Sequence, residues 1–485
     1  MQNRISARII LWLMIGSYLL VMGATVCLRH YNFQTQTWDL AAFAQSFWNA
    51  SHGRGLVNSL EQVHNHLGLH FSPFLFLLVP GYVIFQSPYY LLLLQTIALA
   101  LGAWPLYLLA SRFWPRGRWP LIIAAGYLLY SGLHWANLYD FHEITFFVPL
   151  MLAALYFLEE QRWGWLAVFL VLAASVKEDA ILAVAFAGVY LLFKKNSEQR
   201  WLTTQRKIGI TIIVLALIYF ILAVKVFMPA LGGGALRLDR YANLGGNPAE
   251  IVKNIVIHPS LLPGTVFSGA KLSYLFWLFL PVMFLPWFSW RSLILLLPGL
   301  PENLLTNYRF QFSGLYHYDA VLIPGIFLGM IYGLQMVLTK WPAKERWIRG
   351  GLMGAILASF LLRSPLGLFS LAGPVSPIKY FTGNSQWQAY RQLVRLVPPG
   401  ISVAANTNLV PHLTDRERIY QLGQEPLLMD MVLIDTADPF GFTGQADFQT
   451  YVDSYLKTGL YKSQIFNNRY VVIFSNKFRL TSPAQ

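Results

Sequence analysis

Lys177-Glu178-Asp179 stands between two apolar runs, Trp165–Val176 and Ala180–Phe193, each short for a membrane crossing. A hairpin of that kind draws three charges below the bilayer surface, where ionisable groups are costly unless paired or wet and so mark functional candidates. Lys177 can hold a phosphate, positioned by its acidic neighbours, or it can simply neutralise them in an internal ion network. Asp39 opens the segment Trp38–Trp48, in which Leu40, Phe43 and Phe47 fall on one helical face suited to an interface. Its carboxylate fits a first-turn position, favoured by the helix dipole, or a general base. Two more carboxylates, Asp140 and Glu143, flank Phe141 and His142. Glu302-Asn303 with Arg309, then Tyr316-His317-Tyr318-Asp319, complete the set, although tyrosines at such a place also form an interfacial belt.

His52, His64, His66 and His70 crowd one stretch. Imidazoles bind metals or phosphate and shuttle protons near neutral pH. No H-E-x-x-H or other fixed ligand spacing is present, so no cofactor is predicted and a divalent metal has only these scattered histidines behind it. His52 and His64 read as solvated loop residues. Cys27 is the only cysteine, which excludes an internal disulfide and a thiol-based metal site.

These residues must be positioned by membrane helices. Of the 485 residues 56% are hydrophobic and 12% charged, half the charge of a typical soluble chain. The predicted spans are Ile9–Leu28, Tyr89–Ala110, Trp119–Leu133, Ile144–Leu158, Trp165–Val176, Ala180–Phe193, Ile208–Met228, Leu272–Phe288, Ser292–Leu300, Ala320–Leu338 and Gly351–Leu362. Ile9–Leu28 follows Arg4 and Arg8 but lacks a signal-peptidase site, and reads as an uncleaved first span. Phe71–Phe85, interrupted by Pro73, Pro80 and Gly81, reads as lying in the outer interface. Sixteen Lys/Arg fall in the loops assigned to the cytoplasm, about twice as many as in the longer loops opposite. That bias sets the N-terminus on the cytoplasmic side of the membrane and the C-terminus outside. It also accounts for the net charge of +14 without nucleic acid.

Two long loops, 29–71 and 229–271, then lie outside with all the polar groups above, and loops of that length are more often functional than decorative. Gly232-Gly233-Gly234 lacks the strand-to-helix context of a phosphate cradle. The tail from Ser364 changes character. Ser385–Val397 reads as a helix with Ser385 and Gln388 at capping-box spacing, Asp447–Lys457 as a helix closed by Gly459, and Ile401–Ala405, Met431–Asp435 and Tyr470–Ser475 as strands. The predicted architecture is mainly α: a polytopic bundle over 1–363, and a small extracytoplasmic α/β domain over 364–485.

Several segments carry a family resemblance: Asp39-Leu40-Ala41-x-Phe43-x-Gln45-x-x-Trp48, His70-Phe71-Ser72-Pro73, Asp140-Phe141-His142, Lys177-Glu178-Asp179 and Val410-Pro411-His412-Leu413-x-x-Arg416. In order, from about residue 30 to 420, they resemble the signature segments of domain-of-unknown-function family 2079. That family in turn looks like a relative of the GT-C membrane glycosyltransferases. The resemblance implies interface-lying helices in the first external loop and a sugar taken from a polyprenyl-phosphate donor. It also implies Asp39 as the first-loop catalytic acid residue and Lys177 near the lipid phosphate. A single Asp39 stands where some members have a paired Asp-Glu, and H-F-S-P replaces their H-P-P-L.

The expected activity is transfer of a hexosyl or pentosyl group to an acceptor that the sequence does not specify. Asp39 is the base, with Asp140 and Glu143 as further carboxylates. Lys177, with His70 or Arg309, stabilises the leaving phosphate. His142, Glu178, Asp179 and His317 complete the expected substrate and lipid-phosphate site. A lipid or solute transporter is the competing class. Such proteins place polar residues at the midplane of internal repeats, whereas here they gather at one face and no repeat is evident. A catalytically inactive assembly protein is the third.

Overall fold

The computed structural model describes residues 2–194, 199–234, 237–371, 384–426, 428–438 and 440–478. Part of the basic loop Lys194–Lys207 therefore lies outside the described residues. The chain divides into two compact units. The first comprises Met1–Thr25, His70–Leu75 and Leu94–Pro377; the second comprises Val26–Leu69, Phe76–Leu93 and Ile378–Gln485.

Five helices are long and apolar enough to cross a membrane: Ser6–Tyr31, Pro88–Phe113, Trp119–Leu138, Thr204–Ala230 and Ile323–Lys340. Trp163–Ala174 and Gly269–Val282 are shorter apolar helices. Thr204–Ala230 has a mean hydropathy of 2.8 yet is only 17% buried, the signature of a helix whose surface is covered by lipid rather than protein. Helices Glu178–Phe193 and Gln199–Leu222 pack closely through two glycines. A Cβ at Gly188 would lie 2.6 Å from the Gly209 carbonyl, and one at Gly209 would lie 2.8 Å from that of Gly188. This is the small-residue contact by which helices approach in lipid, where no hydrophobic effect drives them together.

Leu272–Phe288 and Ser292–Leu300 are not continuous helices, and Trp119–Leu133 is interrupted at Tyr130, whose backbone is extended. Leu272–Phe288 ends as regular helix at Phe279, and Ser292–Leu300 is divided among short turns and the helix Gly299–Leu305. Pro281, Pro286 and Pro298 each remove a ladder donor, and Met283 and Phe284 adopt left-handed backbone at φ 51° and 54°. Gly351–Leu362 lies within a single helix, Glu345–Arg363. Residues 71–85 form a 3-10 turn, Pro73–Leu77, and the six-residue helix Val79–Ile84, about 9 Å of helix and far short of a crossing.

The second unit is built on five strands, β1 (Val403–Ala405), β2 (Ile419–Gln421), β3 (Met431–Asp435), β4 (Tyr461–Phe466) and β5 (Tyr470–Ser475). Their order is β2-β1-β3-β5-β4, parallel through the first three and antiparallel for the rest. On one face Val403, Ala405, Ile419, Leu433 and Val472 pack with Trp387, Tyr390 and Leu393 of helix Ser385–Arg395. On the other, Val432, Ile434 and Ile473 pack with Phe448, Val452 and Tyr455 of helix Gln445–Leu456. The cap of the first helix is Asn384, not Ser385: its side chain accepts from the Gln386 amide at 2.8 Å, one residue before the predicted box.

The segment between residues 33 and 60 completes this core, with Phe33, Ala41, Ala42 and Leu60 in the same cluster. Gln45 donates to the Arg416 and Glu417 carbonyls, each at 3.0 Å. Ser59 donates to the Ile419 carbonyl at 2.6 Å and accepts from the Ile419 amide at 3.0 Å. The apolar face Leu40, Phe43, Phe47 is buried inside the protein, with Phe43 against His66 and Phe47 against Tyr82.

Candidate functional site

A cluster of charged residues forms in the first unit, outside its long apolar helices. Lys177 has extended backbone immediately before helix Glu178–Phe193, so its neighbours Glu178 and Asp179 occupy the first turn, where the dipole favours negative charge. The Lys177 ammonium lies 3.2 Å from Glu143 Oε1, with side chains 10% and 1% exposed. Burial works against the charged lysine, but Glu143, Asp179 and Glu178 outweigh it and hold Lys177 above its ordinary range. His70 Nδ1 meets Glu178 Oε1 at 2.8 Å, and the Phe71 amide donates to Glu178 Oε2 at 2.9 Å. The H-F-S-P and K-E-D segments thus meet directly.

Gln95 positions the next segment from within an apolar helix. Its amide donates to the Asp140 carbonyl at 2.8 Å and its carbonyl accepts from the His142 amide at 2.8 Å. Asp140 is in left-handed backbone at φ 51°, a conformation aspartate tolerates better than most residues. His142 stacks on His317 with ring centres 3.6 Å apart. Burial, reinforced by His142, Lys177, His70 and Arg240, holds His317 well below the usual imidazole range.

Arg240 and Glu302 flank this group. The Arg240 guanidinium lies 4.4 Å from the Tyr308 ring centre and 5.5 Å from that of Tyr318, and donates to Gln311 Oε1 at 3.1 Å. Gln311 also donates to Glu302 Oε1 at 3.2 Å. Burial, then the nearby Asp179 charge, pushes Glu302 up to about 8. Its ordinary value is 4.5, so between those values the unfolded chain releases the proton that the folded chain keeps, and stability falls as pH rises through that window. Glu302→Gln, which imitates the protonated acid, is expected to flatten the dependence of melting temperature on pH there. An unchanged slope would assign it to other groups.

His70, His142, Glu143, Lys177, Glu178, Asp179 and His317 thus come together, with Asp140 supporting them through its backbone. Arg309 is exposed in the turn Arg309–Phe312 and the cluster's arginine is Arg240 instead. Asp39 belongs to the second unit, in the π-helical turn Thr37–Ala41, with its side chain partly buried. Gln95, Arg240 and Gln311 were not singled out from the sequence; a lone amide in the apolar stretch 88–101 was the available signal for Gln95. Among the described residues, no group of three His, Cys, Asp or Glu side chains is arranged to hold a metal ion.

The backbone follows that of a solved membrane protein over nearly its whole length. The crystal structure of ArnT from Cupriavidus metallidurans bound to undecaprenyl phosphate matches 97% of this chain and 99% of its own at a TM-score of 0.53 and 13% identity. The apo structure of the same protein matches 95% and 97% at 0.46, also with 13% identity. The fold is therefore ArnT-like. Residues 29–472 match the family described as predicted membrane protein (DUF2079), and the chain belongs to that family. No curated protein matches the sequence.

Proposed function

We propose that this protein is a membrane glycosyltransferase that takes a sugar from a polyprenyl-phosphate donor and passes it to an acceptor hydroxyl on the extracytoplasmic side. The observation that carries the reading is the whole-chain likeness in fold to a protein crystallised with undecaprenyl phosphate. In the proposed step the acceptor oxygen attacks the anomeric carbon and the bond to the phosphate oxygen breaks. The configuration inverts, and a carboxylate takes the acceptor's proton. Asp39 is given that role by the family resemblance, with Asp140 and Glu143 as the carboxylates to test after it.

Arg240 is the best supported phosphate ligand. Lys177 is already matched by Glu143 at 3.2 Å, and His70 by Glu178 at 2.8 Å. Among the described residues, the Arg240 guanidinium meets two tyrosine rings and an amide, and burial raises the pKa of Glu302 beside it to about 8. Its charge is thus available to a phosphate that remains anionic throughout the transfer. Lys177 in this reading holds the carboxylates in place.

Purified protein incubated with polyprenyl-phosphate sugars is the direct test: release of sugar or formation of product supports the reading, and neither with any donor sinks it. Arg240→Gln is expected to weaken donor binding about tenfold or more without lowering the melting temperature. The proposed orientation, N-terminus inside and the domain from residue 364 outside, is checked by labelling single cysteines in a Cys27→Ser background. Asn384→Cys should react from outside intact cells and Ala343→Cys should not.

A further inference from the structure

Strands β2, β1 and β3 run parallel; β2 and β1 end level at Gln421 and Ala405, and β3 runs two residues further, to Asp435. From β1 the chain passes to β2 on one side and returns to β3 on the other. That arrangement is a topological switch point, and open α/β sheets bind ligands beyond the carboxyl ends of their strands at such points. Here Asn406 ties two strand ends, accepting from the Asp435 amide at 2.6 Å and donating to the Asp438 carbonyl at 2.8 Å. The following loop turns back over β2, because Gly441, at φ 99°, leaves room where a Cβ would stand 3.0 Å from Gln421 Nε2. Gln421 is 2% exposed and its Oε1 makes no hydrogen bond among the described residues. Phe440, between Asp438 and Gly441, is 53% exposed.

We propose that this edge of the sheet binds a neutral, hydroxyl-rich glycan, with Gln421 Oε1 and the Asp438 carboxylate accepting from its hydroxyls and Phe440 covering a sugar face. The chemistry of the open groups selects the ligand class. Both are acceptors, Asp438 Oδ1 already taking the Phe440 amide at 3.3 Å and keeping lone pairs for more, while the Asn406 amide is engaged by the Asp438 carbonyl and the Arg469 guanidinium by Asp435 through two contacts of 2.6 Å. A phosphate or carboxylate brings only acceptors to such a lining, whereas hydroxyls bring donors. Sugar rings also present C–H faces to an exposed aromatic. The transferase reading makes no use of these residues, and the inference stands without it.

The test uses the full chain in nanodiscs without any donor, probed by saturation-transfer NMR with maltotriose, mannotriose and chitotriose. Saturation of sugar ring protons, weakened about tenfold by Phe440→Ala and by Gln421→Leu, supports the site. Phe440 is exposed, so its truncation leaves folding intact and the result readable. No transfer to any of the three sugars overturns the proposal, as does binding that both substitutions leave unchanged. Because no donor is present, failure of the transferase assay does not bear on this outcome.

Discussion

Asp39→Asn is expected to lower transfer from a polyprenyl-phosphate sugar about a hundredfold or more while changing stability by less than about 1 kcal/mol. Asparagine matches aspartate in size and in most of its hydrogen-bonding capacity but cannot take up the acceptor's proton. Other groups hold the local backbone. Leu40 and Ala41 are fully buried, and Thr37 is held by Thr407, whose hydroxyl accepts from the Thr37 amide at 3.2 Å. The measurement is a transfer rate beside a melting curve of the same preparation. Normal turnover by the variant would remove Asp39 from the mechanism and pass the role to Asp140 or Glu143.

Lys177→Met is expected to destabilise the protein by about 3–5 kcal/mol, the cost of stripping a buried ion pair of one partner. Glu143, 1% exposed, loses its ammonium, and Glu178 and Asp179 lose a neighbouring positive charge. Adding Glu143→Gln should restore much of the loss, because a neutral amide tolerates the site that a lone carboxylate does not. Acid or neutral pH does not reproduce the effect. A lysine held above its ordinary 10.5 contributes stability that is fully present below that value and is lost only as pH rises through its higher folded value. Thermal unfolding of the two variants decides the matter. If Lys177→Met melts normally and only donor binding suffers, the lysine serves the phosphate and the role given to Arg240 is wrong.

Much of this was legible in the residues. Charge scarcity and long apolar runs announce membrane helices because lipid admits few alternatives. Lys177-Glu178-Asp179 and His70 stand out because ionisable groups between apolar runs need partners, and the structure pairs them with Glu143 and with each other. Strands β1, β3 and β5 are read from buried β-branched runs. Strand β4 is not, since its burial pattern is mostly exposed and an edge strand has one neighbour to satisfy, so no apolar alternation marks it. Strand β2 spans only three residues.

What the sequence by itself determined are the features that one segment pays for locally: helices that satisfy their own backbone, charges that demand neutralisation, caps and turns. What the tertiary structure alone decided are pairings between distant segments. Thr37 with Thr407, Gln45 with Arg416 and Ser59 with Ile419 are separated by 360 to 371 residues, and they place the first loop in the same core as the C-terminal sheet. Arg240 rather than Arg309 joins the charged cluster for the same reason. Each arginine sits in a loop with aromatic residues near it in space or sequence, and only the path of the backbone decides which guanidinium comes to rest beside Glu302 and His317.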